Sequence, residues 1–398
     1  MTKKDQPASR HDLKMSRPPS NDYGSLEQMV RGLRDHQPLD LNAERWRQAH
    51  PKANFEAWRQ IAHQCLLTGL HYDPGPLDLQ AEVRDRVDRS DFILERVAFN
   101  TTPWIRVNGY FLLPKGVTYP VPGLVVFHAW GGPIIFGKER IVNTGRDHPA
   151  LEAHRQEYYS GRYLAEEFAK RGYAVIVIDA YHFGERSPRG LNGIPTTYDA
   201  FELSSEAFAE MSVLVASQIY LGVRQLNWAG TTWTGLNFWD DSRCVDYLCS
   251  RPEVDAARIG CTGLSGGGWR TNMLAALDRR IKASVSGCWM TTGDYQQIYN
   301  LHGAIGTFCL LPGVWDRLDV PDLTILTAPN ASMVVSNSED LLFPQEAQQE
   351  ADRQTRLGYA WAGCPEQYAF YNPVKLHCYD AEVQQEALAW FDRHLKEG

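Results

Sequence analysis

The sequence has no apolar run approaching the ~18 to 20 residues that a helix needs to cross a bilayer, so no membrane-spanning segment is expected. It has no basic surplus either: 40 Lys and Arg stand against 48 Asp and Glu, for a formal charge of -8. That balance, and the lack of a long basic stripe, argue against a nucleic-acid partner, whose phosphates require clustered cations. None of the eight cysteines pairs at C-x-x-C spacing. Scattered through apolar segments, they read as reduced packing residues, and neither a metal site nor a disulfide framework follows from them. Residues 1–24 are polar and rich in Pro and Ser, without the apolar core or cleavage site of a secretory signal. A disordered tail on a cytoplasmic protein is the expectation.

What is present is the composition of a globular chain, 398 residues with 43% hydrophobic content, enough for one large core and a smaller accessory part. From residue 26 to about 70 the pattern is helical: Phe55, Trp58, Ala62 and Cys65 recur at spacings of three and four, and Asn54 is placed to cap the helix start. Segments 92–101 and 105–113, rich in Val, Ile, Phe and Tyr, read as antiparallel strands. Short buried strands then alternate with helices. Strands are predicted at 123–128, 174–179, 259–263, 283–287, 323–326, 333–336 and 368–371. Helices are predicted at 163–171, 240–250, 267–278, 345–357 and 381–395. This alternation predicts an α/β fold, a mostly parallel central sheet with helices on both faces. Residues 189–237 interrupt it with helix over 202–221 and a Trp-, Thr- and Gly-rich loop holding Trp228, Trp233 and Trp239, a candidate lid. The resulting division is a tail at 1–24, a helical extension at 25–90 and an α/β domain at 91–398.

One motif carries chemistry. Gly263, Leu264, Ser265, Gly266 and Gly267 form G-x-S-x-G, which in a chain with 32 glycines arises by chance in roughly one case in ten. Its context is more specific, because 258–263 is strand-like and 267–278 helix-like. A sharp strand-to-helix turn presents a serine hydroxyl at the strand end, with the helix N-terminus behind it for a developing oxyanion. The run lacks both G-K-[ST] and dinucleotide spacing, so it is not read as a phosphate loop, and no cofactor is expected.

A nucleophilic serine needs a histidine to take its proton and a carboxylate to orient that histidine. Downstream of Ser265 stand His302, His377 and His394. His394 lies in the terminal helix and His302 in a stretch where it could touch substrate, whereas His377 falls in a loop between the last strand and helix and is the expected base. The acid is expected in the polar loop after strand 333–336, with Asp340 first and Glu339 the alternative. The second oxyanion donor should come from the loop His128, Ala129, Trp130, Gly131, Gly132, either Trp130 or Ala129 N–H beside that of Gly266. His128 is read as a support for that turn.

With these residues in place the chain resembles the α/β-hydrolase superfamily, and within it bacterial acetyl-xylan-esterase-like and dienelactone-hydrolase-like proteins, over roughly residues 50–396. The stretch from Trp239, Asp240 and Asp241 through Asp246, Tyr247, Arg251, Pro252 and Asp255 to Ser265 and Asp278 carries the resemblance most specifically. Asp340 with Phe343 and Pro344, and His377 before Trp390 and Phe391, complete it. Two departures stand out: Ala129 replaces a common glycine, and Asn330 and Ala331 stand where relatives often have Arg-Pro. The resemblance implies Ser265 as nucleophile, Asp340 as acid, His377 as base, and Trp130 and Gly266 as oxyanion donors. Asp179 and Arg186 are read as loop-fixing partners. Trp233, Trp239, His182 and His302 are candidate substrate contacts, the tryptophans as a sugar or aromatic platform or as lid packing. The implied reaction is hydrolysis of a carboxylic ester, short-acyl or on an acetylated carbohydrate, through an acyl-serine. Peptide or C–C bond cleavage by the same triad is the alternative, and a non-catalytic binding protein of this fold the reading from another class.

Overall fold

The computed structural model describes residues 26–295 and 309–397. The strands β1 (Glu82–Asp88), β2 (Phe92–Asn100), β3 (Arg106–Pro114), β4 (Val121–Phe127), β5 (Ala174–Ile178), β6 (Val254–Leu264), β7 (Ile281–Gly287), β8 (Ala331–Val335) and β9 (Tyr368–Tyr371) make one sheet. Their order is β1-β2-β3-β5-β4-β6-β7-β8-β9. The pairings from β1 to β5 through β2 and β3 are antiparallel, and those from β5 to β9 through β4, β6, β7 and β8 are parallel.

Alternation along the central strands divides the core. In β4, Val121, Val125 and Phe127 face one apolar cluster while Leu124 and Val126 face another, and in β5 Ala174, Ile176 and Ile178 oppose Val175 and Val177 in the same way. Both faces of a parallel sheet are apolar because helices cover both. In chain order the helices begin with α1 (Leu26–Asp35) and α2 (Ala43–Ala49), and α4 (Pro149–Tyr159) and α10 (Gln345–Trp361) come later. On the first face lie α3 (Phe55–Gly69), α7 (Trp233–Ser250), α8 (Gly266–Leu277) and α9 (Val320–Leu326), and on the second α5 (Leu164–Lys170) and α11 (Ala381–Phe391). The edge strand β1 is exposed along its whole length and carries Glu82, Arg84, Asp85, Arg86 and Asp88, charges that protect an open edge from pairing with another chain.

The helical start is as expected, with Asn54 Oδ1 accepting the Ala57 N–H at 2.9 Å. Three elements differ from expectation. Strand β1 falls within the stretch read as helical extension. Residues 323–326, read as strand, belong to α9, where Asp319 and Asp322 form a reciprocal capping box and Pro321 sits in the first turn. The Trp- and Gly-rich loop is largely helix: α6 (Ser205–Trp228) ends on Trp228, and α7 begins at Trp233 with Thr232 Oγ1 accepting the Gly235 N–H at 2.9 Å. Gly235 is not a loop residue; a Cβ there would stand 2.3 Å from the Leu70 carbonyl oxygen. The expected tail, 1–24, lies outside the described residues.

Two ion pairs, one buried and one partly buried, tie α7 to the rest. Arg270 of α8 holds Asp241 with two bonds of 3.0 and 2.6 Å, and Arg186 reaches Asp240 at 2.6 Å. Arg186 therefore pairs with Asp240, meeting Asp179 only through the Asp179 carbonyl at 3.0 Å. The Asp179 carboxylate pairs with Lys138 at 2.7 Å. Burial pushes the Asp241 carboxyl up to about 6 against the pull of Arg270. Asp241→Ala strands the Arg270 cation and should cost about 3–5 kcal/mol of stability by denaturant titration. The double replacement Asp241→Leu with Arg270→Met should recover most of that loss.

Candidate active site

The parallel strands end at one edge of the sheet, and the site gathers in the loops that follow them. The chain leaves β4 for β5 on one side and later reaches β6 on the other, so the ends of β4 and β6 flank the crevice where such sheets bind ligands. Ser265 follows β6 and Trp130 follows β4.

Ser265 has φ 59° and ψ -117°, a conformation an L-residue holds only under strain, on the order of 1–3 kcal/mol. Its N–H donates to Gly287 O at 2.7 Å and its carbonyl accepts the Trp269 N–H at 2.9 Å, so the turn is held by β7 on one side and by α8 on the other. The neighbouring glycines are required by close approach. A Cβ on Gly263 would lie 2.7 Å from Phe127 O, one on Gly267 2.8 Å from the same atom, and one on Gly266 2.6 Å from Trp130 Cβ and 3.1 Å from Trp130 N. The last contact sets the Trp130 backbone against Gly266, the residue directly after Ser265.

Asp340 and His377 meet through a 2.6 Å bond between Asp340 Oδ2 and His377 Nδ1. The other carboxylate oxygen accepts the Leu342 N–H at 2.9 Å, which sets the carboxylate plane. Asp340 is buried; the adjacent Glu339 is exposed, and its N–H donates to Lys375 O at 3.0 Å. Two further bonds join the loops carrying acid and histidine, Ser338 N–H to Pro373 O at 2.9 Å and Asn337 Nδ2 to Leu376 O at 2.6 Å. Cys288, directly after Gly287, places its sulfur so that it, an Asp340 oxygen and a His377 nitrogen lie within 4.8 Å of one another. These could in principle ligate a metal. Burial and the nearby Asp340 charge hold the Cys288 thiol protonated, and the Asp340–His377 bond already occupies two of the donors.

The Trp130 loop is held from below. Ala180 N–H donates to His128 Nε2 at 3.0 Å, which leaves Nδ1 as the protonated nitrogen, donating to Ala129 O at 2.8 Å. Burial, with Arg140 and Arg270 nearby, drives the His128 pKa well down, so it stays a neutral strut. The Trp130 ring stands edge-on to Phe183 and to Trp233, each at 5.0 Å. Trp233 is 2% exposed, its Nε1 donating to Tyr181 O at 3.3 Å. Trp239 is half-buried and donates to Tyr72 O at 2.6 Å. His182 is buried against Gly222 of α6, where a Cβ would come within 2.2 Å of its ring. His302 lies outside the described residues. The structure thus brings Asp340 to His377, and Trp130 to Gly266 and Trp233, whereas His182 and Trp239 pack against other elements.

His154 also borders this loop, its ring 2.6 Å from where a Gly132 Cβ would be and 4.7 Å from that of Tyr158. Neither ring nitrogen has a hydrogen-bond partner among the described residues. Burial, then the Arg140 and Arg155 charges, pull its pKa down to about 2, and burial with Arg186 pulls that of His182 to about 4. Both values lie below the unfolded value of about 6.5, so the unfolded chain takes up protons first. Stability is complete above that pH and falls as the pH drops from about 6.5, towards about 4 for His182 and about 2 for His154, by about 2 kcal/mol per histidine at pH 5. His154→Phe keeps the ring and removes the titration. The fall in Tm between about pH 7.5 and pH 5 should be smaller for this variant than for the parent.

Sequence reading passed over Arg140, Lys138 and the pair Asp241–Arg270. A charged residue inside the apolar stretch of α8 was the available signal for Arg270; Lys138 and Arg140 lie in an irregular loop with no periodicity to mark them.

No family model matches the chain. A relative from Bacillus subtilis (strain 168), "Putative hydrolase YtaP", is 24% identical over 310 residues, 77% of this chain and 90% of that one. Among solved structures, a "putative acetyl xylan esterase" from Bacteroides fragilis NCTC 9343 superposes with a TM-score of 0.65 at 18% identity, covering 90% of this chain and 84% of its own. A glucuronoyl esterase from Solibacter usitatus gives 0.58 at 15% identity, covering 86% and 94%.

The chain has the α/β-hydrolase fold.

In α/β-hydrolase terms, β2 to β9 supply the mostly parallel sheet, β1 is an added edge strand, and 189–237 runs from beyond β5 into the start of α7, with α6 as its main element. Among the described residues no helix is long and apolar enough to cross a membrane.

Proposed function

We propose that this protein is a serine esterase in which Ser265 is the nucleophile, His377 the base, Asp340 the acid, and the N–H groups of Trp130 and Gly266 the oxyanion donors. The observation that carries the reading is the 2.6 Å Asp340–His377 bond, on the same sheet edge as a serine in a strained strand-to-helix turn. With the Nδ1 proton given to Asp340, Nε2 is the nitrogen that accepts the Ser265 proton. Ser265 Oγ then bonds to the ester carbonyl carbon, and the carbonyl oxygen becomes an oxyanion facing the two N–H groups and the α8 N-terminus. Collapse breaks the C–O bond to the alcohol, which leaves with the proton from Nε2. Water repeats the sequence on the acyl-serine, and Ser265 recovers its proton as the acid departs.

The substrate we favour is a short-acyl or carbohydrate ester, supported by the names of the structural neighbours, an acetyl xylan esterase and a glucuronoyl esterase. Trp233, with so little of its surface open, would act on substrate through the Trp130 ring it supports, and α6 would roof the cleft. The test combines a fluorophosphonate probe with a panel of p-nitrophenyl acetate, acetylated xylo-oligosaccharides, methyl glucuronate esters and peptide amides. Labelling at Ser265 with turnover of the esters is the expected result. An unlabelled Ser265 in folded protein overturns the reading, and cleavage confined to amides moves the substrate class to peptides.

A further inference from the structure

Arg140 is a guanidinium with 0% exposure. Its Nη1 donates to Ala129 O at 2.8 Å and to Gly131 O at 2.7 Å, and its Nε and Nη2 have no hydrogen-bond partner among the described residues. It lies 5.4 Å over the Phe183 ring, which in turn meets the Trp130 ring. Burying a cation is expensive, and a fold that needed only packing here would be served as well by an apolar side chain. What this cation does instead is grip the two carbonyls on either side of Trp130.

The peptide joining Ala129 to Trp130 is trans, so its C=O and N–H point in opposite directions within one plane. A donor fixed on the Ala129 oxygen therefore fixes the direction of the Trp130 N–H. A positive donor also draws electron density through the peptide and makes that N–H a stronger donor, as hydrogen bonds in series do. The same oxygen accepts from His128 Nδ1 at 2.8 Å, so two donors set this single peptide from behind. The second carbonyl, Gly131 O, fixes the plane that follows.

We infer that Arg140 is a positioning residue for ester hydrolysis, aiming and polarising the Trp130 N–H toward the oxyanion by holding the Ala129 and Gly131 carbonyls. The inference rests on the Ser265 reading above. Arg140 is itself anchored. Its N–H donates to Gly137 O at 3.1 Å, and the turn that carries it is fixed by Lys138, whose N–H and Nζ each bond Asp179 at 2.7 Å. Gly137 is required there, since a Cβ would fall 2.1 Å from Asp179 Oδ1. Burial lowers the Arg140 pKa only to about 10, so the side chain stays cationic at neutral pH.

The test compares Arg140→Met, which keeps length and loses charge and donors, with Arg140→Lys, which keeps the charge and can reach one carbonyl. Steady-state hydrolysis of p-nitrophenyl acetate is measured with Tm and with inhibition by two ketones of the same shape. A trifluoromethyl ketone adds Ser265 and forms an oxyanion; its methyl ketone counterpart binds without one. Arg140→Met should lower kcat about 30-fold with KM within about twofold, somewhat less than deleting an oxyanion donor outright. Affinity for the trifluoromethyl ketone should fall by the same factor while that for the methyl ketone holds, and Arg140→Lys should recover part of both. Should the methionine variant fail to fold, the lysine variant carries the same comparison between ketones. Loss of affinity for both ketones together with a lowered Tm would mark a packing role and overturn the inference, as would unchanged kcat in either variant. If the parent enzyme turns over ester and is labelled at Ser265 while the Arg140 variants match it, only this inference fails. If the parent is neither labelled nor active, the Ser265 reading fails and this one with it.

Discussion

Replacing Ser265 with alanine should lower hydrolysis of short aryl esters by about 10⁵- to 10⁶-fold, the loss seen when a nucleophile acting as part of a triad is removed. In the proposed mechanism the hydroxyl is the atom that bonds to the carbonyl carbon, and nothing else in the turn can replace it, because Gly266, Gly267 and Gly268 follow without side chains. Folding should be untouched, since the turn is held by backbone bonds from Ser265 to Gly287 and Trp269. Alanine at φ 59° retains the strain of the serine. Glycine does not, and Ser265→Gly should be more stable than Ser265→Ala by about 1–2 kcal/mol, less the entropy glycine returns to the unfolded chain. Kinetics on scrupulously pure variants, with thermal melts of all three proteins, check both statements. An alanine variant retaining more than a few per cent of activity would remove Ser265 from the mechanism.

The parts of this fold that could be read from the sequence are those whose causes are local. Ser265 sits between a strand and a helix that are contiguous with it in the chain, and small residues around it announce a close crossing. Asn54 announces a helix start three residues away from the N–H it accepts. The loops that carry Asp340 and His377 follow short apolar strands, so their places at strand ends were legible, and the exposure of Glu339 separates it from Asp340 once the loop geometry is known. What was not legible depends on partners far along the chain. Gly235 looks like loop punctuation until the Leu70 carbonyl is seen 2.3 Å from its missing Cβ. Leu323 to Leu326 have the composition of a strand, and the Asp319 and Asp322 capping box outweighs it. Arg140 has its meaning only through carbonyls nine to eleven residues earlier, brought back by the Lys138–Asp179 anchor. Tertiary contacts decide such residues, and neither periodicity nor propensity records them.

Asp340→Asn should reduce kcat by about 10⁴-fold, the loss expected when the histidine of a triad is held in the wrong tautomer. The reason lies in the second hydrogen bond of the carboxylate. Leu342 N–H donates to Oδ1 at 2.9 Å and so will hold the amide oxygen of an asparagine at that position. The amide nitrogen is then left where Oδ2 stood, 2.6 Å from His377 Nδ1. Two donors cannot face each other, so His377 must accept at Nδ1 and carry its proton on Nε2, where it has no lone pair for the Ser265 hydroxyl. Size and shape are unchanged, and the fold should be retained. Glu339→Gln, one residue away and exposed to solvent, should leave kcat within about twofold, as surface substitutions remote from the reacting groups do. Measuring kcat for both variants separates the two acids: a large loss in the glutamine variant with a small one in the asparagine variant would exchange their roles.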